Sequence, residues 1–489
     1  MQRRLVCLIT SCVLFCASGT ESQAAQPETA QGFRAGAAIS NITPPIGGLI
    51  IGGFVPAPSD NVHDDLFAHC IVLDDGKTQL ALVVCDLLGI TTSVCREAQK
   101  IVEQNSKIPA SNVLICATHT HSATSVLGSN RFAFDAPLDE YQQFVARRIA
   151  DGVQRAKKLL RPAEFAFGTV EIPEHVFNRR WHLKPGTMPV NPFGNTNDQV
   201  KMNPSAGSPD LVKPAGPTDP TLSFLSFREP EGKPIALLAS YSLHYVGGVP
   251  GRDISADYYG RFPEHFLELS GLDHQDPPFI PILANGTSGD INNINFRHPR
   301  PRKQPYEQMN DVARDVAAKV LAALKDVKYD REITLAARYH ELNTKFRKPD
   351  AKTLEWAEKT IAAGPQKRGD LSYIYADRAR SMSEYPDEAP IPLQVLRIGQ
   401  LCIGTMPCEV FCEIGLEFKK RCPIQPAFLM SLSHGYLGYL PPPHQVDLGG
   451  YETWLGTNRL EREASDKMLA ELLKMAKEVQ SSLQPSEKE

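Results

Sequence analysis

Apolar runs too short for helices recur along this chain, and each stops abruptly at polar or glycine-rich residues. Val113 to Ala123, V-L-I-C-A-T-H-T-H-S-A, is the sharpest case: a run fit for a buried strand ends in His119 and His121. Continuous apolar strands need cover on both faces, which restricts the chain to layered architectures of sheets and helices. Ala68 to Leu73 and Gln79 to Asp86 are two more such runs, joined by the turn sequence Asp74-Asp75-Gly76-Lys77. Further strands are predicted at Leu222–Phe227, Ile235–Ser242, Phe279–Ala284, Leu393–Ile398 and Leu401–Gly404. Helical spacing of apolar residues predicts helices over Ser93–Gln104, Leu138–Leu160, Tyr306–Val327, Ala351–Ala363, Glu413–Arg421 and Asn458–Leu483. Lys184 to Pro220 is crowded with Pro, Gly, Asn and Ser and reads as a long loop wrapped over the domain near a site. The expected class is α/β, with mixed sheets flanked by helices in a single large domain.

At 489 residues, 42% apolar and with a net charge of −4, the chain has a globular composition and no basic excess for nucleic acid. Its N-terminus has the pattern of an export signal: the basic Met1-Gln2-Arg3-Arg4, an apolar Leu5–Cys16 and the small-residue site Ser22-Gln23-Ala24. Residues 1–24 are read as a signal peptide and the mature protein as exported, to the periplasm or outside the cell. Phe15 before Cys16 is too bulky for a lipoprotein signal. Eight of the 11 cysteines lie beyond that segment, in apolar runs or helices, and are expected to be mostly buried thiols.

Alternation along a strand would turn His119 and His121 the same way, an arrangement that suits a first-row metal, proton transfer or a hydrogen-bonded core. His244 ends a second strand, where a satisfied core histidine is the plainer reading. Asn285-Gly286-Thr287-Ser288-Gly289-Asp290 is a glycine-rich turn after a third strand, and it is not a G-x-S-x-G elbow. Glu409 follows the strand L-C-I-G-T-M, where it could also serve as a charge at a helix start. The basic stretch Arg297–Lys303 reads as a solvated loop.

Taken in order, T-H-T-H-S, F-N-R, a strand ending in His, S-A-D-Y, N-G-x-x-G-D-I-N, P-C-E-V-F and G-Y-L-G-Y-L-P resemble the catalytic domain of neutral (alkaline, non-lysosomal) ceramidases. The similarity starts near Ala35 and runs to Gly449-Gly450-Tyr451-Glu452, and a domain over residues 33–484 is expected without a C-terminal immunoglobulin-like domain. The resemblance implies a Zn2+ site on His119, His244, Glu409 and Tyr439, with His121, Tyr451 and Arg179 on the substrate side. It further implies water as the nucleophile towards an amide carbonyl, and substrate contacts at Asp290 and Asn292. Asp86, at the end of L-V-V-C-D, is expected to support a ligand histidine from behind. Asn292 stands where the family carries a serine, in Gly289-Asp290-Ile291-Asn292-Asn293 against G-D-V-S-P-N. The implied activity is a secreted zinc-dependent hydrolase of linear amides, acting on a ceramide, a related N-acyl lipid or another small amide. Peripheral membrane contact goes with the lipid case, and no obligate protein partner is implied. The alternatives are a non-catalytic, zinc-containing lipid-binding relative and a metal-dependent esterase or deacylase.

Overall fold

Three sheets with one shared device organise the protein, which is described here by a computed structural model covering residues 32–481 apart from 125, 129–131, 133, 135 and 273. Residues 1–24, read from the sequence as a signal peptide, lie outside the described residues. In the first sheet, Val113–Ala117 runs parallel to Gln79–Cys85, which pairs antiparallel with Phe67–Asp74; Arg34–Asn41 and Arg161–Pro162 follow. In the second, Ile280–Asn285 runs parallel to Pro234–Tyr241, and Thr221–Arg228 and Glu164–Glu171 continue antiparallel. In the third, Ala427–Met430 runs parallel to Leu401–Thr405, and Glu388–Ile398 and Leu335–Lys345 continue antiparallel.

Each sheet thus holds one parallel pair, and a parallel pair requires a crossover. Helices Thr92–Ser106, Asp257–Ser270 and Cys412–Arg421 lie within the three crossovers. Ligand sites in such units form beyond the carboxyl ends of the parallel strands, and His119, His244 and Glu409 all lie just past such ends.

The strands are apolar on both faces because both faces are covered. Leu82, Leu114, Leu225, Leu238, Ile282, Leu396 and Ile403 turn inwards into one core shared by the three sheets. The alternate residues face helices: Val83 and Ile115 pack with Val94 and Ile149, Leu237 and Leu283 with Phe262 and Val316, and Leu393 and Val395 belong to the cluster of Met468 and Leu472. Each such side chain contributes about 1.5–3 kcal/mol when fully buried. Local signals fix the helix starts, as where Asp139 and Gln142 form a reciprocal capping box ahead of Glu140–Lys158.

Two expectations are corrected. The Lys184–Pro220 segment is not structureless, because Val200–Met202 and Leu211–Pro214 flank Arg180–Leu183 in a three-stranded sheet. The last helix begins at Ala464 rather than Asn458; Asn458 bridges to Gly438 and Leu460 to Phe346, which holds that stretch extended. All eight cysteines among the described residues are buried and none is in a disulfide, and no described helix is long and apolar enough to cross a membrane.

Candidate metal centre

The strand carrying the two histidines ends at Ala117, before either of them. Thr118 N–H then donates to Cys85 O and His119 N–H to Leu87 O, and His119 takes a left-handed φ of 74°. Strand alternation therefore stops, yet the histidines still meet: their Nε2 atoms are 3.1 Å apart. His119 is buried, with Nδ1 2.7 Å from Leu88 O. That bond places a proton on Nδ1 and turns Nε2 towards the cavity.

His244 is held in the same manner. Its Nδ1 lies 3.1 Å from Ser288 O, and Tyr258 and Tyr259 both donate to Leu243 O just before it. Asn285 Nδ2 donates to Thr118 O, tying the glycine-rich turn to the His119 segment. Burial, with Arg179 nearby, pushes the His244 imidazolium pKa well below its ordinary value, so this ring is neutral.

Glu409 and Tyr439 arrive together because Glu409–Val410 pairs in parallel with Tyr439–Leu440, residue opposite residue. Glu409 Oε1 accepts a 2.7 Å bond from Tyr436 Oη–H. Its Oε2 lies 3.2 Å from His119 Nε2 and 3.8 Å from His244 Nε2. Burial alone would raise this carboxyl's pKa; His119 and the Tyr439 hydroxyl outweigh it and hold the acid ionised. Gly289 allows the close approach here: its N–H donates to Val410 O, and a Cβ would sit 2.5 Å from Glu409 O.

The chemistry of this donor set fits a metal. His244 Nε2 and Glu409 Oε2 are buried without a hydrogen-bond partner among the described residues, although Glu409 Oε2 lies within 3.8 Å of the Nε2 atoms of both His119 and His244. Buried polar atoms in that condition are costly unless a ligand satisfies them. His119, His121 and His244 offer nitrogen atoms that all lie within 4.8 Å of one another.

Arg179 Nη2 donates to Tyr439 Oη at 2.9 Å and to Gly289 O at 2.8 Å, while its Nε donates to Glu452 Oε1 at 3.1 Å. Glu452 also takes Arg180 Nη1 at 2.7 Å and is fully buried. His121 stacks on Tyr245 with centroids 3.7 Å apart, and the Tyr451 ring stands edge-on to Tyr439 at 5.7 Å. His119, His121, Arg179, Glu409, Tyr439 and Tyr451 all line one cavity of about 250 Å³. His244 lies behind it, buried against His119.

Three expected residues lie elsewhere. Asp86 Oδ2 is bonded to His69 Nε2 at 2.9 Å and not to His119 or His244, whose Nδ1 atoms are taken by backbone carbonyls. Asp290 is fully buried, accepting from Cys412 N–H and Asn178 Nδ2, and faces no cavity of the site. Burial pushes its carboxyl up to about 6 against the Cys412 hydrogen bond. Asn292 donates to Asn203 Oδ1 at 3.1 Å and faces a neighbouring cavity; Asn203 and Tyr245 line both. Tyr436, Tyr245 and Glu452 were missed as individual residues. Tyr436 stands three residues before Tyr439 in G-Y-L-G-Y, Tyr245 directly follows His244, and Glu452 directly follows Tyr451.

Together the fold and the site define an α/β protein with a candidate metal centre at the carboxyl ends of its parallel strands. The description of the N-terminal part of neutral/alkaline non-lysosomal ceramidases matches residues 33–297, and the chain belongs to that family. It is 22% identical to neutral ceramidase from Pseudomonas aeruginosa over 301 residues, 58% of this chain and 40% of that protein. The chain thus aligns with less than half the length of that curated relative. Two solved structures share the fold. A ceramidase complexed with C2 has a TM-score of 0.69 at 17% identity, over 94% of this chain and 76% of the other. The neutral ceramidase of Pseudomonas aeruginosa has a TM-score of 0.65 at 16% identity, over 93% and 75%.

Proposed function

We propose that this chain is an exported, zinc-dependent hydrolase of linear amide bonds, acting on a ceramide or a related N-acyl compound. The observation that carries the reading is the convergence of His119 Nε2 and His244 Nε2 on Glu409 Oε2, with His244 Nε2 and Glu409 Oε2 buried without a hydrogen-bond partner among the described residues. His119, His244, Glu409 and Tyr439 would hold zinc, which when bound supplies a Lewis acid and makes water nucleophilic near neutral pH.

The chain's own residues supply the rest. Arg179 fixes the Tyr439 oxygen and, through Glu452, keeps its own guanidinium in place. His121, fixed by its stack on Tyr245, stands at the cavity wall with Nε2 able to hold or pass a proton to the leaving amine. Tyr451, in the same wall, is the donor assigned to the oxyanion that develops on the amide carbonyl. Asn292 has no hydroxyl to attack with, so water is the nucleophile. The partner is a small amide or lipid, with peripheral membrane contact for the lipid case.

The test is release of labelled fatty acid from a fluorescent short-chain ceramide by the purified protein, with and without a zinc chelator. Chelator-sensitive release is expected. Release that survives complete metal removal would refute zinc dependence, and no release from any N-acyl amide in the presence of bound zinc would refute the amidase.

A further inference from the structure

Among the described residues, the site cavity is lined by three arginines, Arg179, Arg378 and Arg459, against a single carboxylate, Glu409. Arg179 is accounted for by Glu452, which it shares with Arg180. The other two are not. Arg378 and Arg459 are 6% and 5% exposed, yet neither forms an ion pair with any described residue. The one hydrogen bond of each goes to a neutral hydroxyl: Arg378 Nη1 to Thr457 Oγ1 at 2.9 Å, and Arg459 Nη1 to Tyr385 Oη at 3.2 Å. The Nε–H of each is buried with no acceptor among the described residues.

Both guanidinium groups pack on the same ring, 5.3 and 4.5 Å from the Phe132 centroid, and Arg459 lies 5.6 Å from the ring of Tyr436, the residue that holds Glu409. Aromatic faces attract cations and offset part of the cost of taking them out of water. They cannot fill a donor edge. A guanidinium presents parallel N–H bonds matched to the two oxygens of a carboxylate, and a buried, uncompensated charge is among the costliest features a fold can carry. Two of them beside a candidate catalytic centre call for an anion that arrives with the substrate. A ceramide carries no charge and would leave both donors unmet.

We propose that Arg378 and Arg459 form an anion subsite in the site cavity, and that the preferred substrate is an N-acyl amide with a carboxylate close to the amide, of the N-acyl amino acid class. This rests on the amidase reading above and narrows its substrate. Hydrolysis adds water across the C–N bond; the acyl carbon leaves as a fatty acid and the amine as the amino acid, whose carboxylate the arginine pair holds throughout.

The experiment uses the zinc-loaded full chain. Hydrolysis of N-lauroylglycine is compared with that of N-lauroylethanolamine, which is neutral and of similar length. Their non-cleavable ketone isosteres, with CH2 in place of the amide N–H, are titrated calorimetrically. The carboxylate member should bind about tenfold or more tightly than its hydroxyl counterpart, from charge-assisted hydrogen bonding to a buried donor pair. That preference should fall to about threefold or less in Arg378→Gln and in Arg459→Gln, and survive in part in Arg459→Lys, which also serves if a glutamine variant does not fold. Equal binding of the two isosteres, or a preference unchanged in the glutamine variants, would overturn the subsite. Cleavage of neither amide, with the binding preference intact, would count against the amidase alone.

Discussion

Replacing Tyr436 by phenylalanine removes one hydroxyl and little else. The ring keeps its place beside His119, 6.4 Å between centroids, and against Gly89, where a Cβ would meet Tyr436 Cδ2 at 2.9 Å. The lost contact is the 2.7 Å bond to Glu409 Oε1. Glu409 is only 3% exposed, so water cannot take over the donor's place. A hydrogen bond to a buried charged group contributes about 1.5–3 kcal/mol. At about 1.4 kcal/mol per tenfold, zinc affinity should fall about 10- to 100-fold, the range expected when a partner that orients a metal ligand is lost. The assay is competition for zinc against a chromophoric chelator, with wild-type and Tyr436→Phe proteins matched for Tm. Affinity within about twofold of wild type, with the fold intact, would refute the role given to Glu409 as a ligand steadied by Tyr436.

Glu452→Gln leaves Arg179 and Arg180 without the buried carboxylate they share, and should cost about 3–5 kcal/mol in denaturant unfolding; a loss below about 1 kcal/mol would contradict the account of that network. Asp290 is raised by burial from 3.8 to about 6, so the folded protein keeps its proton where the unfolded chain has lost it. Its contribution is therefore complete below about pH 4 and declines as pH rises to about 6, by on the order of 3 kcal/mol. Asp290→Asn should lack that slope in a pH series of unfolding midpoints, and superimposable slopes would refute the assignment. Gly438 precedes Tyr439 at φ 77°, and a Cβ there would lie 2.2 Å from Thr457 O. Gly438→Ala should lower stability by about 1 kcal/mol or more and weaken zinc binding with it; unchanged values of both would show that the turn tolerates a side chain.

Strands and helices were legible where burial and periodicity agree. Ala351–Ala363 was read to the residue, and Gln79 to Asp86 ended one residue late, because a strand covered on both faces has to be apolar throughout. Local pattern failed where distant segments decide. The strands at Val200–Met202 and Leu211–Pro214 are short and half-polar, and exist because Arg180–Leu183 lies between them. Asn458 to Leu460 carries a helical pattern, but bridges to Gly438 and Phe346 hold it extended.

The candidate site divides in the same way. By itself the sequence determined which residue types stand at strand ends: His119, His244 and Glu409 follow apolar runs whose burial leaves the next residues at a sheet edge. It also carried the family resemblance through motifs in a fixed order. Tertiary structure alone decided what those residues meet. Asp86, His119 and His244 are all near strand ends, yet Leu88 O and Ser288 O take the two histidine Nδ1 atoms and leave Asp86 to His69. Arg378 and Arg459 look like ordinary surface arginines in sequence. Only packing buries them beside Phe132 without a counter-charge among the described residues, because a side chain's charge is written in its residue type and its partners are set by the crossing of segments far apart in the chain.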